Sequence, residues 1–218
     1  MQHQAPLKAV TFDAAGTLLE PWPSVGAVYA RVAEECGIGP VSIDDLNRQF
    51  ASAWKNKRGF DYSRVAWRRI VEKTFSGLAH TKPAFFDHLY DEFAQPRCWR
   101  VYDDVAPTLE RCRTQGLKLG VISNWDERLR PLLEQMGLAP YFDAIIVSTE
   151  TGHHKPALEV FDQATRALQL PPESILHVGD SMDEDVKGAS DARFQSVLLD
   201  RRGHDQSAIH SLAALLSD

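Results

Sequence analysis

The chain has 218 residues, of which 44% are hydrophobic and 25% are charged, and this balance is typical of a globular rather than a disordered protein. Its formal net charge of −6 at pH 7 repels a phosphate backbone, so we expect no nucleic-acid partner. The length permits either one large domain or a core with a smaller insertion, and the patterns below favour the second organisation.

The cysteines and the chain start bear on the cellular compartment. The chain has three cysteines, Cys36, Cys98 and Cys112, which form no CxxC pair. An odd number of cysteines is expected of free thiols in a reducing compartment. The first eight residues lack the basic and apolar features of a signal peptide, and no apolar stretch approaches the roughly 20 residues that cross a bilayer. We expect a cytoplasmic protein without a membrane partner. The sequence leaves its oligomeric state open.

The first predicted element is a buried strand from Leu7 to Phe12. The stretch from about Pro21 to Arg97 then shows long helical patterns and no convincing strand. One of these patterns ends at Gly37, and another runs from Val65 to Phe75. We therefore predict an inserted helical domain, with a core of residues 1–20 and 98–218 and an insertion of residues 21–97.

Four further strands alternate with helical patterns in the rest of the chain. The strand segments, each rich in apolar or β-branched residues, are Lys118 to Ile122, Ala144 to Ser148, Ile175 to Val178 and Gln195 to Leu199. One intervening helical pattern stops at Gly137, and another follows Pro156, which suits a first helical turn. This alternation predicts an α/β fold with a doubly wound parallel sheet.

Polar residues lie where four of the predicted strands end, and open parallel sheets bind ligands at these carboxyl ends. The segments are Asp13-Ala14-Ala15-Gly16-Thr17, Ser123-Asn124, Lys155-Pro156, and Gly179-Asp180-Ser181 with Asp185. We expect them to converge on one crevice that suits an anionic substrate and a divalent cation.

Carboxylates dominate this predicted crevice. Mg²⁺ prefers oxygen ligands and usually takes one or two carboxylates, which Asp13 and Asp180 can supply. Asp185 or Asp183 would contribute through water. The sequence therefore predicts Mg²⁺ as the cofactor.

The remaining polar groups suit phosphoryl chemistry. Lys155 would neutralise the approach of an anionic nucleophile to an anionic substrate. Ser123 and Thr17 could donate hydrogen bonds to the equatorial oxygens of a phosphoryl group. Asp13 would attack covalently.

The ordered segments resemble the four motifs of the haloacid dehalogenase superfamily. The matching residues are Asp13-x-x-Gly16-Thr17, Ser123-Asn124, Lys155-Pro156 and Gly179-Asp180-Ser181-x-x-x-Asp185-x-x-Gly188-Ala189. The helical insertion resembles the cap of that superfamily's helical-cap subgroup. The resemblance implies a Rossmann-like core, a mobile cap that closes over the crevice, and a covalent aspartyl intermediate on Asp13.

The resemblance also assigns expected roles to other residues. Asn124 joins the catalytic set, and Gly16 lies beside the substrate. Lys55 and Lys57, in a basic and aromatic stretch of the insertion, could face the substrate, and Trp125 could form a wall of the crevice. A solvated loop and a packing ring are the alternative interpretations of these last residues.

The chain departs from the superfamily pattern at Ala15. Phosphatases of the superfamily usually carry a second Asp here, which protonates the leaving group and then activates water. Because general acid/base catalysis contributes about 100- to 10,000-fold, its loss would weaken the hydrolysis of alkyl phosphates. Metal binding is expected to persist, since in the family this position coordinates through its backbone carbonyl, which Ala15 retains.

Four functions remain open at this point. The leading hypothesis is a phosphatase-type hydrolase of reduced or specialised activity that acts on a small phosphorylated metabolite. A phosphonoacetaldehyde hydrolase would use Lys55 or Lys57 to form a Schiff base. A haloacid dehalogenase would also lack the second Asp, but the acidic fourth motif argues against it. An anion-binding or regulatory protein would keep the site without turnover.

Overall fold

The computed structural model describes residues 5–216 of the chain. The chain divides into two compact units. We call Met1–Leu19 with Val101–Asp218 the core unit and Glu20–Arg100 the helical unit. The helical unit extends slightly beyond the predicted range 21–97 at both ends.

The strands and helices follow each other along the chain in the alternating order typical of an α/β core with an insertion. The strands are β1 (Ala9–Phe12), β2 (Leu19–Pro21), β3 (Trp99–Val101), β4 (Lys118–Ser123), β5 (Ala144–Val147), β6 (Ile175–Gly179) and β7 (Gln195–Leu198). The α-helices are α1 (Val25–Glu35), α2 (Ile43–Lys55), α3 (Arg64–Phe75), α4 (Pro83–Glu92), α5 (Val105–Thr114), α6 (Leu129–Gln135), α7 (Ser148–Thr151), α8 (Leu158–Leu168) and α9 (Gly188–Asp191). Short 3₁₀ helices occupy Pro96–Cys98, Ala139–Tyr141, Pro172–Ser174 and Leu212–Leu216, and a π-helical turn occupies Met182–Lys187.

Five strands of the core unit form one parallel sheet in the order β5-β4-β1-β6-β7. The central strand β1 pairs with β4 and β6, so that Ala9 is aligned with both Lys118 and Ile175. All four residues of β1 are buried, which explains its nearly continuous apolar run. The strand order reverses at β1, and open parallel sheets generally bind ligands beside such a switch point. The predicted doubly wound, Rossmann-like core is confirmed.

Two details of the strands differ from the sequence prediction. β1 begins at Ala9 rather than Leu7, because the sheet pairing starts there and not where the apolar run starts. β2 and β3 form a separate two-stranded sheet that was not predicted, and β2 reaches Pro21, where no strand was expected. Three residues are too few to show a periodic pattern.

The helical unit has its own hydrophobic core. Serine side chains cap three of its helices, because Ser24, Ser42 and Ser63 each accept a hydrogen bond from a backbone N–H in the first turn. The buried residues include Tyr29 of α1 and Phe75 of α3, whose rings stack with centroids 5.9 Å apart. The predicted helix from Val65 to Phe75 is confirmed as α3.

The helices of the core unit bury apolar faces against the sheet. The predicted patterns that end at Gly137 and follow Pro156 are confirmed as α6 and α8. Phe161 of α8 is fully buried and belongs to the same apolar cluster as Ile122 of β4. Within residues 5–216, each helix is too short or too polar to cross a membrane.

Candidate active site

Three strands of the core sheet end in reactive side chains at the same edge. Asp13 follows β1, Ser123 is the last residue of β4, and Asp180 follows β6. Asp185 lies in the π-helical turn after β6, a kind of turn that is rare and frequent at functional sites. Asp13, Asp180 and Asp185 each place a carboxylate oxygen within 4.8 Å of the other two. We call these three residues the acidic cluster.

A buried lysine links two members of the acidic cluster. The Nζ atom of Lys155 donates to Asp13 Oδ1 at 2.7 Å and to Asp185 Oδ1 at 2.5 Å. The amide of Asn124 brackets the Lys155 backbone, since Oδ1 accepts from the Lys155 N–H at 2.7 Å and Nδ2 donates to the Lys155 carbonyl at 2.9 Å. Asn124 therefore acts in this structure by fixing the position of the lysine.

Burial and charge together set the ionisation of this group. Burial raises the pKa of Asp13, Lys155 opposes that shift, and the Asp185 carboxylate adds to it. Burial also opposes the charge of Asp185, yet Lys155 and His177 hold its pKa well below the usual range. Burial likewise opposes the charge of Lys155, but the two carboxylates outweigh burial and raise its pKa. Lys155 and Asp185 are therefore a charged pair at neutral pH.

Asp180 completes the acidic cluster from its solvent-exposed side. Partial loss of hydration and repulsion by Asp13 and Asp185 raise the pKa of Asp180 to about 7. Three carboxylates thus face one ammonium, and this excess of negative charge from oxygen ligands fits a hard divalent cation such as Mg²⁺.

Two glycines allow the acidic cluster to form. Gly16 has φ +81°, and a Cβ atom at this position would overlap the Asp180 carboxylate. A Cβ atom on Gly179 would overlap the side chain of Asp185. Any larger residue would displace a carboxylate, so the glycines are required by close approach.

The turn after β1 places a hydroxyl and a small side chain beside Asp13. The Leu19 N–H donates to the Ala14 carbonyl at 3.0 Å, which closes this turn. Thr17 is fully buried, and its Oγ1 atom has no hydrogen-bond partner within residues 5–216. The half-buried Ala15 adds no ionisable group, and its expected metal contact through the backbone carbonyl stays a prediction.

Ser123, at the end of β4, is 1% exposed. Its side chain forms a hydrogen bond with Asp13 and thereby favours the ionised carboxylate. The structure therefore brings Ser123 and Lys155 to the same carboxyl group.

The remaining predicted substrate contacts are Trp125 in the core unit and two lysines in the helical unit. Trp125 is 6% exposed, and its backbone N–H and carbonyl exchange hydrogen bonds with the Ser148 side chain. Lys55 and Lys57 belong to the helical unit. The Nζ atom of Lys57 lies 3.8 Å from the ring centroid of Trp54 within that unit. A role of these side chains in substrate binding stays a prediction.

Sequence reasoning missed two residues that contact side chains of this site. His177 Nε2 lies 3.1 Å from Asp185 Oδ1, and Glu184 Oε2 accepts from Asn124 Nδ2 at 3.0 Å. A lone histidine in the otherwise apolar strand β6 was the only available signal. Of the two carboxylates proposed for the fourth motif, Asp185 lies in the acidic cluster, whereas the exposed Asp183 lies outside it.

Comparisons with known proteins agree with this architecture. A family model described as haloacid dehalogenase-like hydrolase matches residues 7–193. The haloacid dehalogenase-like hydrolase domain-containing protein 3 of Bos taurus is 33% identical over 212 residues, which cover 91% of this chain and 84% of that protein.

Solved structures share the fold over almost the whole chain. A HAD phosphatase from Thermococcus onnurineus is 29% identical with a TM-score of 0.70, and the match covers 96% of both chains. A 2-haloacid dehalogenase from Pseudomonas syringae pv. Tomato DC3000 is 26% identical with a TM-score of 0.67, again over 96% of both chains. Together with the family match over most of its length, these likenesses show that the chain belongs to the haloacid dehalogenase-like hydrolases.

Proposed function

We propose that this hydrolase is a Mg²⁺-dependent phosphatase that acts on a small phosphorylated metabolite through a covalent intermediate on Asp13. The observation that carries the proposal is the acidic cluster, in which Lys155 pairs with two of the three clustered carboxylates and Asp180 adds a third. Such an excess of negative charge is costly in a buried site, and a divalent cation together with an anionic substrate would balance it.

Asp13, Asp180 and Asp185 are the side chains that would hold Mg²⁺, with the backbone carbonyl of Ala15 as a further ligand. Lost hydration and repulsion by the other two carboxylates raise the pKa of Asp180 to about 7, and a cation would relieve the repulsion. When bound, the cation offsets the negative charge of the nucleophile and of the phosphoryl group.

The residues of the chain account for the first half of the reaction. A carboxylate oxygen of Asp13 attacks phosphorus, so that a bond to Asp13 forms while the bond from phosphorus to the leaving oxygen breaks. Lys155 and Ser123, which both contact Asp13, reduce the repulsion between nucleophile and substrate. The buried Thr17 hydroxyl is available to donate to a phosphoryl oxygen. Water then hydrolyses the aspartyl phosphate.

Ala15 restricts the substrates that can react rapidly. Its methyl group cannot protonate a leaving alkoxide, so substrates whose leaving groups need little protonation are favoured. Acyl phosphates meet this requirement because their leaving group is a carboxylate. We therefore propose faster turnover of acyl phosphates than of alkyl phosphate esters.

A second candidate is an anion-binding protein without turnover, and the lack of an ionisable group at Ala15 is the observation that favours it. A dehalogenase is less compatible with the site, because three clustered carboxylates repel the anionic haloacid unless a cation intervenes. Because a solved dehalogenase is similar to this chain, dehalogenation has to be measured as well.

A substrate panel separates these functions. The panel contains acetyl phosphate, alkyl phosphate esters, phosphonoacetaldehyde and 2-haloacids, each measured with Mg²⁺ and with EDTA. We expect phosphate release from acetyl phosphate that requires Mg²⁺, with slower release from the alkyl esters. Halide release that is insensitive to EDTA would contradict the proposal, and so would Mg²⁺-dependent binding without any turnover.

A further inference from the structure

His177 contacts the acidic cluster from the buried interior of the core unit. It belongs to β6, two positions before the strand ends, and is 1% exposed. Its ring packs edge-on against Phe161, with centroids 5.5 Å apart. Substrate chemistry does not require a buried imidazole at this position, yet both of its nitrogen atoms have polar neighbours.

Thr11, the imidazole and Asp185 form a hydrogen-bonded series that leads to the acidic cluster. Thr11 Oγ1 lies 3.0 Å from His177 Nδ1, and His177 Nε2 lies 3.1 Å from Asp185 Oδ1. Thr11 is a buried residue of the central strand β1. This hydrogen-bonded series therefore connects the adjacent strands β1 and β6 to the Asp185 carboxylate in the π-helical turn.

Asp185 is held from several directions by this arrangement. Its Oδ1 atom faces both Lys155 Nζ and His177 Nε2, and its Oδ2 atom accepts from the Ser181 N–H at 2.9 Å. A carboxylate with three such neighbours has little rotational freedom. Its remaining lone pair therefore points in a fixed direction.

The protonation pattern of His177 follows from the chemistry of its partners. Asp185 Oδ1 can only accept, so Nε2 must carry the hydrogen, since two lone pairs 3.1 Å apart would repel. With Nε2 as the donor of a singly protonated ring, Nδ1 is an acceptor. The Thr11 hydroxyl can then donate to Nδ1, which is closer than its other acceptor, the Leu176 carbonyl at 3.3 Å.

We propose that His177 is a positioning residue that orients Asp185 for Mg²⁺. Its Nε2–H donates to Asp185, and the Thr11 hydroxyl selects this tautomer by donating to Nδ1. The inference rests on the proposed function, because it assigns Asp185 to the metal. Groups that orient metal ligands in this way typically contribute 10- to 100-fold in metal affinity. His177 touches neither substrate nor reacting atoms and acts through Asp185.

Calorimetric titration of the full chain with Mg²⁺, without substrate, tests the inference. We expect His177→Leu to weaken Mg²⁺ affinity about 10- to 100-fold and Thr11→Val to weaken it less. His177→Gln, whose amide can donate to Asp185, should recover part of the loss. Phe161→Leu is the matched control, because it alters packing against the same ring without a polar contact to Asp185, and its affinity should stay within about twofold.

Nitrogen chemical shifts of His177 in the unaltered, isotope-labelled chain provide a readout that does not depend on a variant folding. We expect a protonated Nε2. A ring protonated at Nδ1 alone would overturn the inference, and so would equal Mg²⁺ affinity in His177→Leu and the parent chain. Those results would leave the proposed function intact if the parent binds Mg²⁺, whereas a parent that binds no Mg²⁺ would contradict both.

Discussion

Each unit of the molecule contains a cluster of charged side chains, and the two clusters differ in how their carboxylates are paired. In the core unit, the acidic cluster presents three carboxylates to the one ammonium of Lys155. In the helical unit, the single carboxylate of Glu92 accepts hydrogen bonds from Arg97 at 2.6 Å and from Arg31 at 2.5 Å. The first cluster has more carboxylates than cations, whereas the carboxylate of the second is paired by two guanidinium groups.

This difference distinguishes a candidate binding site from an ion pair that only stabilises the fold. Glu92 is 4% exposed, and the hydrogen bonds from Arg97, assisted by Arg31, lower its pKa to about 2 despite its burial. Nothing further is needed to stabilise that carboxylate. In the acidic cluster, by contrast, lost hydration and repulsion raise the pKa of Asp180, so a bound cation would stabilise its ionised form. Changes to the core cluster should therefore alter function, and changes to the helical one should alter stability.

The largest effect is expected for Asp13→Asn. Loss of the nucleophile should reduce phosphate release from acetyl phosphate by at least about 1,000-fold, because an amide oxygen does not attack phosphorus. The measurement is phosphate release at saturating Mg²⁺. Asp162→Asn, an exposed position on α8, is the matched control and should retain parental activity. Retention of activity in Asp13→Asn would remove this residue from the mechanism.

The next effect is a gain of function in Ala15→Asp. A carboxyl group here would supply the acid and base that the turn after β1 lacks, so alkyl phosphate hydrolysis should rise about 100- to 10,000-fold. With acetyl phosphate, formation of the aspartyl phosphate should change little because the leaving group needs little protonation, so the smaller rise in its hydrolysis should come from activation of the water in the second step. Measurement of kcat for both substrates tests the difference. An unchanged rate for alkyl esters would show that Ala15 is not the missing element.

In the helical unit, Glu92→Gln should lower the free energy of unfolding by about 1–3 kcal/mol, since charged hydrogen bonds from two arginines are lost. The side chains of Arg31 and Arg97 are 40% and 64% exposed, which keeps the loss below that of a fully buried ion pair. Urea unfolding followed by tryptophan fluorescence is suitable, because four of the five tryptophans lie in this unit. Phosphate release by the folded variant should be unchanged.

The same carboxylate predicts an acid dependence. Its folded pKa of about 2 lies below the ordinary value of 4.5, so its contribution is complete above about pH 4.5 and is lost as the pH falls towards 2. Glu92→Gln should therefore remove part of the stability difference between pH 6 and pH 3. An identical pH dependence in variant and parent would contradict the assigned role.

The smallest effect is expected for Glu35→Gln. Glu35 also pairs with Arg31, at 3.0 Å, but it is 46% exposed and competes with water. The expected loss is at most about 0.5 kcal/mol, within the range of exposed i,i+4 pairs. A loss equal to that of Glu92→Gln would mean that burial does not distinguish the two carboxylates.

Most of the core could be predicted from the sequence, because buried parallel strands are continuous apolar runs and strand ends carry the polar motifs. That local logic found Asp13, Ser123 and Lys155. It could not find the partners of His177, since Thr11 is distant in the chain and a lone histidine does not reveal what it faces. The short strands β2 and β3 were missed for the same reason, because their pairing is entirely nonlocal.

The covalent role of Asp13 is tested most directly by intact-protein mass measurement after rapid quenching of a reaction with acetyl phosphate and Mg²⁺. Because Ala15 cannot activate water, we expect the aspartyl phosphate to accumulate, so that the unaltered chain gains the mass of one phosphoryl group. The gain should disappear in Asp13→Asn and in the presence of EDTA. An equal gain in Asp13→Asn, or neither a mass gain nor phosphate release from the unaltered chain, would contradict the mechanism.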